Sequence, residues 1–160
     1  MPTRAYPQHT AGTIVAIPLP NGEFGYGRLF HDPWLGLYEF VSPTIERVEV
    51  VASHPISFFN SINDQAIQNG LWPIIGERPF SSVEDSWPPP QATMYSRNSN
   101  RWTMGGVPRM THKGITRTAT LEQVCGLDIA TANPRPEGVA RTIVDRLIHG
   151  NHAKYKVRDE

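Results

Sequence analysis

The dipeptide Asn21-Gly22, set between two apolar runs, narrows what this chain can fold into more than any other feature. Asn and Gly supply the positive φ that a tight hairpin turn requires, and such a pair flanked by apolar residues is the strongest short-range signal for reversal of the chain. Upstream, residues 13–17 form an unbroken run of β-branched and small apolar residues, the pattern of a strand covered on both faces, and Pro18 and Pro20 end it. Downstream, side chains alternate: Phe24, Tyr26, Arg28 and Phe30 share one face, Gly25, Gly27 and Leu29 the other. Two glycines at period two imply that another backbone or a ring lies close against that face, or that the sheet bends sharply there. Both readings favour a curled sheet. A dinucleotide-binding loop does not fit, because the third glycine and the following helix are missing.

Beyond this hairpin the chain continues in short units. Residues 31–36 read as a turn, with Asp32-Pro33 initiating it, and 37–41 as a third strand with Tyr38 and Phe40 on one face. Residues 45–51 alternate Val48 and Val50 with Arg47 and Glu49, the mark of a strand with one solvated face. Residues 56–59 are a fifth strand candidate. Ser61 with Asp64 can cap a short helix that Gly70 ends. In 71–76, Trp72 sits in an apolar strand that Pro73 confines to a sheet edge. One helical turn is expected within 81–87, and Pro88, Pro89 and Pro90 then force an extended segment, the only linker candidate. Short strands are expected around Met94-Tyr95 and Arg101–Met104, ahead of Gly105-Gly106. A short helix capped by Thr120 and Gln123 follows, with Gly126 stopping it. Pro136 then opens a last helix near 136–149, with Ala140, Ile143, Val144, Leu147 and Ile148 as its apolar stripe and Gly150 as its stop. The expected fold is α+β, mainly β: a strongly bent antiparallel sheet of five to seven strands with two or three helices. A loosely held arm at 1–11 precedes one domain at 12–150, and a polar tail at 151–160 follows it.

Acids and bases number 15 each, so the total charge selects no partner, but the distribution is uneven. Between Asn21 and Pro90 nine acids face three arginines, a net −6; from Gln91 onward eleven bases face six acids, a net +5. The single cysteine, Cys125, cannot form an internal disulfide, which fits a reducing compartment or simply a fold that needs no staple; it reads as a small buried hydrophobe in a helical turn. No apolar run is long enough to cross a membrane and no secretory signal is visible at Met1, so the expected location is the cytoplasm. Of the six histidines only His149 and His152 are close, in poor zinc geometry, and no metal or cofactor is expected. No catalytic motif occurs. Glu23, Asp32 and Glu39 are the carboxylates that a meander could bring together for hydrolytic chemistry. Phe24, Tyr26 and Arg28 on one face could stack bases, but phosphate attraction needs a positive groove and this region is acidic.

The run Gly12-x-Ile14-x-Ala16-Ile17-Pro18-Leu19, the turn and Tyr26-Gly27-Arg28 resemble the start of the immunity protein 26 family of bacterial polymorphic-toxin systems. The resemblance continues through Phe58-Phe59, Ala66-Ile67, Asn69-Gly70, Trp72 to Gly76 and Pro79, and more loosely through Val144 and Arg146-Leu147. It implies a cytoplasmic antitoxin that protects its own cell by binding the C-terminal domain of a cognate secreted or contact-delivered toxin. A small-molecule-binding or hydrolytic enzyme is the alternative, and a single-stranded nucleic-acid module the third reading. Tight inhibition needs buried aromatic or arginine anchors and charges that steer encounter. Trp34 and Trp87 are the candidate anchors, with satellite packing beside the prolines as their other role, and Glu77, Glu84 and Asp85 the candidate steering charges. Trp72 and Tyr26 belong to the fold. Arg28 is either a buried partner for an acid or a surface contact, the first being preferred because arginine is rarely buried unpaired.

Overall fold

The computed structural model describes residues 11–63, 65–93, 109–127 and 135–150. The expected arm at 1–10, the tail at 151–160, Asp64, and the segments around Met94-Tyr95 and Arg101–Gly106 lie outside the described residues. The fold is α+β, mainly β. Its eight strands divide between two antiparallel sheets, of five strands in the order β4-β3-β2-β1-β5 and of three in the order β6-β7-β8.

The hairpin forms as β1 (Thr13–Pro18) and β2 (Phe24–Leu29), with Val15 opposite Gly27 and Ile17 opposite Gly25. Its turn differs from the expected one. The Leu19 N–H donates to the Glu23 carbonyl (2.8 Å), the Gly22 N–H donates to the Leu19 carbonyl (3.0 Å), and Gly22 alone of the pair has positive φ (+87°). This is a three-residue loop with Pro20 at the position that favours its fixed φ and glycine at the left-handed one. The central strand is covered on both faces: Val15 and Ile17 enter one apolar cluster with Leu35, Leu37, Phe58, Trp72 and Ile143, while Ile14 and Ala16 enter another with Tyr26, Tyr38 and Val51.

The two strand glycines make room for aliphatic side chains, not for a backbone or a ring. A Cβ on Gly27 would lie 2.7 Å from the Leu35 side chain, and one on Gly25 3.1 Å from Ile143. A ring is accommodated one strand later, where a Cβ on Gly36 would meet Phe30 at 2.6 Å. Gly12 has both reasons to be glycine: φ is +103°, and a Cβ would stand 2.8 Å from the Arg78 carbonyl oxygen. Its N–H donates to Leu29 and its carbonyl accepts from Arg78, tying both ends of the ribbon.

The third strand, β3 (Trp34–Tyr38), starts earlier than expected, so the turn shrinks to 31–33 and Trp34 is a strand residue. The Phe30 and Trp34 backbones close across it (2.9 Å). The strand expected at 45–51 is instead a helix, α1 (Val48–Val51). Val48 and Val51, three apart, lie on one helical face: Val48 seals the space left by Gly76 and Val51 is fully buried. Tertiary packing overrides the strand preference of the valines. Next come β4 (Ile56–Ser61), α2 (Gln65–Gln68) and β5 (Ile74–Glu77). Ser61 ends β4, and the side chain that accepts the Gln65 N–H is Asn63 (3.1 Å). Gly70 stops α2 at φ +81°. Trp72 is buried, and β5 is an edge strand, as Pro73 requires.

A single 3-10 turn (Glu84–Ser86) precedes the prolines. The smaller sheet comprises β6 (Gln91–Thr93), β7 (Arg109–His112) and β8 (Ile115–Thr118), β7 and β8 being joined by Lys113-Gly114. In α3 (Leu121–Val124) the capping box is reciprocal: the Thr120 N–H donates to Gln123 Oε1 (2.9 Å) and the Gln123 N–H to Thr120 Oγ1 (3.1 Å). Val124 is the buried residue of that turn; Cys125, one position on, is exposed and not the buried hydrophobe expected. The final helix, α4 (Pro136–Ile143), runs on into a π-helical turn (Val144–Ile148), where the His149 N–H reaches the Val144 carbonyl (3.1 Å). Gly138, Val139, Ala140, Ile143 and Arg146 are its buried residues. The extra residue of the π turn swings Ile148 outward and Arg146 inward, its guanidinium 4.5 Å from the Phe58 ring centroid.

Candidate functional site

Three of the side chains expected to meet a partner, Trp34, Glu84 and Trp87, gather where three loops converge. His31 lies in the β2–β3 turn, and its N–H donates to the Ser86 carbonyl (2.7 Å), drawing the 3-10 turn against the larger sheet. Its ring stacks on Trp87 with centroids 3.6 Å apart and planes at 14°. The tip of the β7–β8 hairpin closes over the same indole: a Cβ on Gly114 would lie 3.7 Å from Trp87. Lys113, beside it, forms an ion pair with Glu84. Trp34 is half-buried and lines the seam with Pro88, Pro89 and Gln91. An open cleft of about 270 Å³ adjoins it, walled by Phe30, His31, Asp32, Trp34 and Ile62.

Trp34, Glu84 and Trp87 therefore lie along one seam between the two sheets, with Asp85 in the 3-10 turn beside Glu84. Asp85 is exposed and accepts from the Ser81 hydroxyl (3.1 Å). Glu77 is not part of the seam: it is exposed on β5, opposite Thr13. No residue pattern singled out His31 or Lys113. Lys113 carries the left-handed φ (+52°) of a two-residue loop, and the glycine after it is the one signal that pointed there.

The base-stacking face is used up by the fold. Tyr26 is 1% exposed, and its hydroxyl lies 2.6 Å from the Ser42 hydroxyl, donates to the Thr44 carbonyl (3.2 Å) and accepts the Glu46 N–H (2.9 Å). Among the described residues no acid pairs with Arg28. Its guanidinium donates through Nε and Nη2 to the Arg78 carbonyl and covers the Phe80 ring at 3.7 Å, so a carbonyl and a π face replace the expected carboxylate. Burial pulls the Arg28 pKa below its usual value, with Tyr38 opposing and Arg78 adding to the shift. Burial likewise holds the Tyr38 hydroxyl above its usual pKa, against the pull of the two arginines.

The three carboxylates of the hydrolytic reading do not converge, since Glu23 and Asp32 lie beyond opposite ends of β2, which at about 3.3 Å per residue keeps them roughly 20 Å apart. Among the described residues no group of three His, Cys, Asp or Glu is placed to hold a metal ion. None of the described helices is long and apolar enough to cross a membrane.

The family model described as Immunity protein 26 matches residues 10–102, more than half of the chain, and the chain belongs to that family. No curated protein and no solved structure matches it. The match takes in the whole larger sheet, the 3-10 turn and β6; β7, β8, α3 and α4 follow it.

Proposed function

We propose that this protein is an antitoxin that neutralises the C-terminal domain of a cognate secreted or contact-delivered toxin by occupying its surface. It acts in the cytoplasm without a cofactor, and residues 12–150 work as one unit. The observation that carries this reading is the family match over residues 10–102. Trp34 and Trp87 are the anchors, because partly exposed indoles supply contact area at little entropic cost. Asp85 and Glu77 are left as steering charges, since Lys113 offsets Glu84.

The test is co-expression with the C-terminal domain of any large secreted protein encoded beside this chain. Survival and co-purification are expected; death of the cells with no complex recovered overturns the reading. Once a complex is in hand, Trp87→Ala and Trp34→Ala should each weaken binding by about tenfold or more. Reversing Glu77 and Asp85 together should slow association and reduce its salt dependence, and unchanged kinetics would remove the steering role.

A further inference from the structure

The β7–β8 hairpin is built in a way the fold does not account for. All four residues of β8 are exposed, Ile115 by 66%, so neither face of the strand is covered. Lys113 and Gly114 both have positive φ (+52° and +77°), which makes the connection a two-residue turn closed by the pair His112 and Ile115. Such a turn closes on a hydrogen-bonded pair, and the pairs then alternate. Ile115 and Arg117 therefore bond to β7, while the N–H and C=O groups of Thr116 and Thr118 point away from it. The Thr111 and Thr116 hydroxyls meet at 3.2 Å, as side chains of a non-bonded pair do. Among the described residues nothing pairs with this outer edge.

The chemistry of the edge is one-sided. Residues 109–118 hold Arg109, Lys113, Arg117 and His112 and no acid. Lys113 is matched by Glu84, whereas Arg117 forms no ion pair among the described residues. Arg117 shares its face with Met110, His112 and Ile115, around a cleft of about 330 Å³. An open main-chain edge, a free guanidinium and an adjoining apolar cleft together fit an extended acidic segment with an apolar side chain. A second copy of this edge would bring arginine against an already basic strand.

We propose that the toxin domain adds an acidic strand to the outer edge of β8, hydrogen-bonding to Thr116 and Thr118, with a carboxylate on Arg117 and an apolar side chain between Met110 and Ile115. This rests on the antitoxin reading and names the partner surface. The hairpin is joined to the seam through Lys113 and Glu84, so one partner can span both. It also lies beyond the family match, where discrimination between related toxins would be placed.

The test uses the full chain with an inactivated form of the neighbouring toxin domain. Amide exchange is measured first on the unaltered protein. The Thr116 and Thr118 amides should exchange freely alone and slow by about a hundredfold or more in the complex, while those of Ile115 and Arg117 are protected in both states. Unslowed Thr116 and Thr118 amides in the complex overturn the proposal. Thr116→Pro removes the outward N–H and leaves the β7 ladder intact, and should weaken binding by about tenfold or more; Arg117→Glu should do the same, chiefly by slowing association. Equal binding by both variants overturns the proposal while leaving the antitoxin reading standing; an unaltered chain that neither binds nor protects defeats that reading itself. A homodimer abolished by Thr116→Pro would assign the edge to a second copy and also overturn the proposal.

Discussion

Two hairpins of this chain, nearly equal in plan, have opposite fates. Strands β1 and β2 lie at the centre of the larger sheet, and five successive residues from Thr13 to Ile17 are buried. Strands β7 and β8 lie at the margin of the smaller one, and no residue of β8 is covered. The first is held by its contents: β-branched side chains on both faces, glycines where Leu35 and Ile143 press in, and a tyrosine hydroxyl bound three ways. The second is held by its turn, by β6 and by the Lys113–Glu84 ion pair, and all four side chains of β8 stay exposed. The contrast marks where selection for folding stops. In the buried hairpin every side chain has a reason inside the fold, whereas in the exposed one a reason must come from outside.

The sharpest way to break the contrast is a matched pair of truncations. Ile17→Ala, at a site with 0% exposure, should cost about 2–5 kcal/mol in urea unfolding. A loss below about 1 kcal/mol would mean that the central strand is not the core of the fold. Gly27→Val tests the close approach to Leu35 and should cost about 1–3 kcal/mol through overpacking, with Gly25→Ala milder because Ile143 meets it at 3.1 Å. Tyr26→Phe leaves Ser42, Thr44 and Glu46 without their shared partner and should cost about 1–3 kcal/mol, read from the thermal midpoint. The smallest effects belong to the exposed hairpin. Ile115→Ala should change stability by less than about 0.5 kcal/mol. Glu84→Gln, which breaks an exposed ion pair, should cost no more than about 1 kcal/mol, and less as salt is raised. A large loss at Ile115 would place that residue in a core and remove the contrast.

Much of the larger sheet was legible. The apolar run of β1, the alternation of β2, Pro73 as the mark of an edge and the capping box of α3 each follow from rules that act over a few residues. The failures share a different cause. Val48 and Val50 alternate as strand residues should, yet the segment is helical because Val48 fills the space over Gly76 and Val51 completes a buried cluster, contacts between residues far apart in sequence. Arg28 looked like half of an ion pair, and its partner is a main-chain carbonyl, which no side-chain pattern announces. Cys125 followed the apolar count of its turn, but one step around a helix was enough to put Val124 inside and the thiol outside. Of the proposed site, the tryptophans and acids were named from their types; that Trp34, Trp87 and Glu84 lie along one seam, with Glu77 apart and His31 and Lys113 beside it, was not legible.

Residue order alone is enough for the elements whose causes are local: a reversal after Pro18, strand periodicity on either side of it, helix ends at Gly70, Gly126 and Gly150, and membership in a family whose pattern runs through residues 10–102. Tertiary structure alone decided that the strands divide into sheets of five and three, that a histidine and a tryptophan stack between them, and that β8 is left open. The physical reason is range. Backbone conformation is set by steric and hydrogen-bonding terms that a residue and its near neighbours carry with them, whereas burial is a property of what arrives from elsewhere in the chain.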